Sequence, residues 1–107
     1  RTVVRMSVEP PAAREWTFLS NHAHVLLAVA RDADLRVRDI AQRVGITERA
    51  TQMIIADLVT GGYVARERVG RRNTYRVVPH RPFRHPLEAG HSVDELVAVL
   101  TAPRTPG

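Results

Sequence analysis

The 107-residue chain carries 16 basic against 11 acidic side chains, every basic one an arginine, for a net charge of +5. That length suits one domain with one modest core, and an apolar content of 44% excludes wholesale disorder. The absence of Cys removes disulfides, thiolate metal sites and cysteine nucleophiles together, and no apolar run approaches the roughly 20 residues of a membrane span. Both features are compatible with a cytoplasmic protein. Arginine presents a planar fork suited to phosphates and guanine edges, so the charge favours an anionic partner. Nucleic acid is favoured over a membrane surface because the basic residues gather in a strand–turn–strand pattern and not along an amphipathic helix.

The opening stretch RTVVRMSVEPPAARE lacks the long apolar segment of a secretory signal and reads as a flexible tail over residues 1–15, with Met6 a candidate start. After it, Leu19, Ala23, Leu26, Leu27 and Ala30 recur at helical spacing behind a capping Ser20, which predicts a first helix ending near Asp32. Leu35-Arg36-Val37 reads as a very short strand or extended entry. Val37, Ile40, Ala41 and Val44 form one apolar stripe on a second helix, which Gly45 closes. Ile46 plugs the turn and Thr47 caps a third helix whose buried stripe is Thr51, Ile54, Ile55 and Leu58.

Gly61-Gly62 stops that helix. The segment YVARERV–GRRN–TYRVV then alternates two β-prone runs about a basic, glycine-containing turn, a hairpin signature. PHRPFRHPLEAGH holds three prolines and predicts an irregular connector over the surface. Ser92 and Glu95 are spaced as a capping box and open a last short helix that presents Leu96, Val99 and Leu100. APRTPG reads as a frayed end.

The order helix, short strand, helix, tight turn, helix, basic hairpin is that of a winged helix-turn-helix, mainly α with a small β-hairpin. VRDIAQRVGITERATQMIIADLVTGGYVARERVGRRNTYRV resembles the DNA-binding half of MarR- and ArsR-like bacterial transcription regulators, covering roughly residues 18–78. The matching features are Ala41 and Gly45 of the turn, the GIT entry, the DLVTGGYV exit and the GRRN wing. The resemblance implies a homodimer that binds double-stranded operator DNA and controls transcription. Two positions depart from it: Thr51 stands where such helices usually bury Val, and Arg36 replaces the usual small capping residue.

In that setting the outer face of the third helix gains a meaning. Arg49, Met53 and Ala56 project opposite the buried stripe, with Gln52 on the flank. A major groove asks for this mixture: Arg forks onto guanine, Gln pairs with adenine, and Met touches thymine methyls. Thr47 is placed to meet a phosphate together with free backbone amides. Glu48 could accept from cytosine, although a first-turn acid that complements the helix dipole explains it as well. A solvated helix face is the bland alternative for Arg49 and Gln52, and the flanking tight turn and basic hairpin tip the balance to base contact.

From Arg66 to Arg84 there are seven Arg against one acid, Glu67. Arg71 and Arg72 are expected at the wing tip, where a guanidinium can enter a narrow minor groove. Asn73 completes the turn, and Arg68 and Arg76 flank it as phosphate contacts. The alternative is a solubilising hairpin whose edges are guarded by charge.

No metal site or cofactor is expected. His22 and His24 cannot closely share a helix face, and His91 with Asp94 is the one pair that could approach an ion; the histidines are better explained by local hydrogen bonds. Catalysis has no support, because a phosphate loop, a carboxylate pair in a pocket and a serine elbow are all missing from the sequence. A core this small also leaves little room for a ligand cavity. The expected organisation is a tail over 1–15, a DNA-binding domain over 16–79, and a connector with a dimerisation helix over 80–107. The dimer surface is expected at Trp16, Phe18, Leu96, Val99 and Leu100. The rival readings are a winged helix used for protein–protein assembly and a repressor that responds to a metal or a small molecule.

Overall fold

A computed structural model describes residues 15–103. The tail expected over 1–15 therefore lies outside the described residues except for Glu15, as does most of the frayed end. Helix α1 runs Asn21–Arg31, α2 Val37–Val44 and α3 Glu48–Thr60, followed by strands β1 Val64–Val69 and β2 Arg72–Val77. A 3-10 turn at Pro86–Glu88 precedes α4, Val93–Thr101. Among the described residues the fold is four α-helices and one antiparallel hairpin, the winged helix arrangement.

Local chemistry sets the helix ends. The Ser20 hydroxyl accepts from the Ala23 amide at 3.3 Å and Thr47 from the Ala50 amide at 3.0 Å, each satisfying a first-turn donor. Arg36 caps α2 without a side-chain acceptor; the Asp39 carboxylate compensates by accepting from the Arg36 amide at 3.2 Å. Gly45 closes α2 at φ 91, a left-handed conformation that a Cβ would strain. Glu95 accepts from the Ser92 amide at 2.7 Å, so the expected capping box opens α4.

The core joins Val25, Leu26, Ala28 and Val29 of α1 to Leu35, Ile40, Ile54, Ile55, Leu58, Val64, Tyr75 and Val93. Burying an aliphatic side chain of this kind contributes about 1.5–3 kcal/mol. The α3 stripe is the expected one, with Thr51 fully buried. Two expectations need correcting. The α1 stripe is rotated: Ala30 faces solvent while Val25, Ala28 and Val29 are buried. Residues 23–30 are apolar nearly all round, so spacing alone could not fix the phase. No strand forms at 35–37 either, and the alternative of an extended entry holds, with Arg36 in extended backbone at the start of α2. Leu35 drops into the core and the chain passes directly into α2, leaving a two-stranded sheet.

The connector is irregular and mostly exposed, as its prolines lead one to expect, and it is also tied down. The Val78 amide donates to the Tyr63 carbonyl at 2.9 Å, Pro82 bridges Ser92, and the Val93 amide donates to the Arg81 carbonyl at 2.9 Å. Val93 is 3% exposed, so α4 belongs to the core as well as presenting an outer face.

Candidate nucleic-acid interface

Because Thr51, Ile54, Ile55 and Leu58 take the inner side of α3, Arg49, Gln52, Met53 and Ala56 are left exposed on the outer side. Met53 is 64% exposed, so its thioether is open to contact from outside the molecule. Neither Arg49 nor Gln52 has a hydrogen-bond or ion-pair partner among the described residues. Thr47 and Glu48 lie at the N-terminus of the same helix. Further along it, Asp57 accepts a contact from His22 Nε2 at 2.9 Å, which ties α1 to the second half of α3.

The hairpin pairs Val64 with Val77, Arg68 with Asn73, and Val69 with Arg72. Its turn is therefore Gly70-Arg71 alone, tighter than the four residues GRRN suggest. Gly70 holds φ 61 while Arg71 stays outside the left-handed region, the pattern of a type II′ turn. Arg71 is the tip residue, and Arg72 is already in the ladder. Alternation along the strands puts Arg66, Arg68, Asn73 and Tyr75 on the face continuous with the core, and Glu67, Val69, Arg72, Thr74 and Arg76 on the other. Arg68 and Arg76 thus lie on opposite faces. Arg68 Nε donates to the Gly70 carbonyl at 3.3 Å, and Arg76 Nε sits 3.8 Å from the Glu67 carboxylate. The Arg72 guanidinium donates to the carbonyl oxygen of Asp34, in the turn between α1 and α2.

His22, His80 and His91 pair with carboxylates, while His24 meets the Asn21 side chain and His85 accepts from the Leu87 amide. His91 and Asp94 do not converge: His91 Nδ1 lies 2.8 Å from Glu95, whereas Asp94 accepts from the His80 amide at 3.0 Å. Among the described residues no group of three or more His, Asp or Glu could hold a metal ion.

The remaining expected site, the apolar one, is exposed. Phe18 is 92% and Val99 73% exposed, Trp16 packs edge-on against Phe18 with ring centroids 4.9 Å apart, and Leu87 adds a large apolar residue the sequence reading did not single out. Leu96 is half-buried, and the Leu100 carbonyl accepts from Arg31 at 2.9 Å. An open cleft of about 990 Å³ lies between Phe18, Asp57, Tyr63, Arg84 and Leu96, against the expectation of little room for a ligand. It forms where the connector folds back over α1 and α3, and the core residues Leu26, Leu58 and Val93 contribute to its lining. Arg81 and Arg84 both stack near the Tyr63 ring, at 5.9 and 5.6 Å from its centroid, a clamp no local sequence pattern could announce.

A helix-turn-helix with an exposed mixed outer face on its third helix and an arginine-tipped hairpin beside it defines a DNA-binding winged helix. The family comparison agrees: the MarR family profile matches residues 17–72, more than half of the chain. The chain belongs to the MarR family, a family of transcription regulators. No curated protein matches it. Among the described residues no helix is long and apolar enough to cross a membrane.

Proposed function

We propose that the protein is a homodimeric, sequence-specific DNA-binding regulator of the cytoplasm, in which α3 reads the major groove and the wing lies along the adjacent minor groove. The observation that carries this reading is the outer face of α3: Arg49, Gln52 and Met53 are exposed, and the two polar ones have no partner among the described residues. Arg49 and Gln52 supply base-edge donors, Met53 an apolar contact, and Thr47 with the first-turn amides a phosphate seat. Glu48 borders that seat. Arg71 reaches the minor groove, while Arg68, Asn73 and Arg76 sit along the backbone on either side.

In this reading residues 16–79 bind DNA and residues 80–107 dimerise. Trp16, Phe18, Leu96, Val99 and Leu100 form the pairing surface, so that two α3 helices meet half-sites spaced by about one turn, ~34 Å. The deciding experiment selects bound sequences from random duplexes and titrates the winner at several salt concentrations. A two-fold symmetric site and a slope of about 0.9 log units per contacted phosphate support the proposal; salt-insensitive binding sinks it. The cleft beside Tyr63 favours one elaboration, a regulator that responds to a small molecule. A compound seated there would raise the melting temperature and change operator affinity together.

A further inference from the structure

We propose that Arg72 is a positioning residue that ties the wing to the α1–α2 turn and so aims Arg71; this rests on the DNA-binding reading given above. The hairpin is anchored at its base, where Val64 and Tyr75 are 2% and 6% exposed. Beyond that base it has little hold on the body. Residues 66–73 are all exposed, and most hydrogen bonds and ion pairs of residues 66–74 stay inside the hairpin: Arg68 to Gly70, Thr74 to Glu67, Arg76 to Glu67. The Arg72 guanidinium is the exception, donating across to the Asp34 carbonyl.

The acceptor is well fixed. The Asp34 amide donates to the Asp32 carboxylate at 3.0 Å, Leu35 is buried at 7% exposure, and the Arg36 amide donates to Asp39. The carbonyl between these points has little freedom to move. At this place a short third strand would brace the wing through main-chain bonds, but residues 35–37 form none. One side chain substitutes for that ladder. Arg72 is also well sited for leverage, because it pairs with Val69 at the last rung before the Gly70-Arg71 turn. Holding that rung sets the direction of the tip. An arginine spent on a protein carbonyl holds the wing in place whether or not DNA is present, which separates its role from that of Arg71.

The test uses Arg72→Ala, Arg71→Ala and the double variant of the full chain. Amide relaxation of Gly70 and Arg71 is measured without DNA, and each variant is titrated on the selected operator and on a scrambled duplex across a salt series. Arg72→Ala should drop the tip order parameters from about 0.85 to below about 0.6. Its operator affinity should fall roughly 5- to 30-fold, what fixing one more backbone residue costs on binding, with the salt slope unchanged. Arg71→Ala should instead make the slope shallower by about 0.9, and its effect should shrink in the Arg72→Ala background. An Arg72→Ala slope shallower by about 0.9 would make Arg72 a phosphate contact and overturn the proposal, as would an unchanged tip order. Should the wild-type chain bind no duplex, the DNA reading fails by itself, and the relaxation data still decide whether Arg72 holds the wing.

Discussion

Thr51 donates its hydroxyl to the carbonyl oxygen of Thr47, one turn back along α3, at 2.8 Å. The same carbonyl accepts the Thr51 amide at 2.9 Å, so a fully buried hydroxyl is satisfied without leaving its own helix. This explains how a polar residue occupies a position where the family resemblance leads one to expect Val. Because the carbonyl keeps its amide partner, Thr51→Val replaces the hydroxyl with a methyl of similar shape and strands no polar group. Urea denaturation should show stability unchanged or raised, within about 1 kcal/mol, with DNA affinity unaltered. A larger loss would mean that the hydroxyl, and not the helix backbone, orients α3.

The second prediction separates base reading from general attraction. Arg49→Ala or Gln52→Ala should cost roughly 1–3 kcal/mol on the selected operator and relax preference at one or two base positions. Binding to a scrambled duplex should fall much less. Equal losses on both duplexes would show that α3 does not read bases.

A third concerns assembly. Deleting the whole C-terminal segment is a poor test, because Val93 is buried in the core and the Leu100 carbonyl holds Arg31. Val99 is exposed and free of that duty. Val99→Glu should leave the melting curve nearly unchanged but convert a dimer to a monomer in sedimentation, since a charge would be stranded in a dry seam. A persisting dimer would move the interface away from α4.

The fourth is a pH dependence. His91 beside Glu95, with the amide and hydroxyl of Ser92, holds the Glu95 carboxyl below its ordinary value of 4.5. A carboxylate depressed in the folded state stabilises the fold fully above the ordinary value, and that contribution drains away as pH falls through the lower, folded value. The start of α4 should therefore loosen below about pH 4.5, visible as a shift and faster exchange of the Ser92 amide. Glu95→Gln should flatten that response; an unchanged acid transition in this variant would assign it to another carboxylate.

The parts of this molecule readable from sequence are those where local chemistry and global packing agree. Ser20, Gly45, Thr47 and Ser92 terminate helices by hydrogen bonds to neighbours a few residues away, so their roles are visible in short strings. The α3 stripe is visible because Ile54, Ile55 and Leu58 recur at helical spacing between the charged or polar Arg49, Gln52 and Asp57. In α1 the apolar residues run on every side, and only contact with α2, α3 and α4 decides which of them are buried. The cleft, the Tyr63 clamp and the Arg72 tether join residues about 20 to nearly 80 positions apart, beyond the reach of any window of local pattern.

Arg81 donates to the Gly61 carbonyl at 3.1 Å, the Tyr63 hydroxyl to the Pro82 carbonyl at 2.9 Å, and the Arg81 carbonyl accepts the first amide of α4. The exit of α3, the proposed reading helix, and the start of the proposed pairing helix are thus riveted to the same few residues, with no slack joint between them. Two copies joined through α4 would behave as a ruler of one length. Such a dimer would reject operators whose half-sites are shifted by even a base pair or two, where a protein with a loose hinge would stretch to meet them.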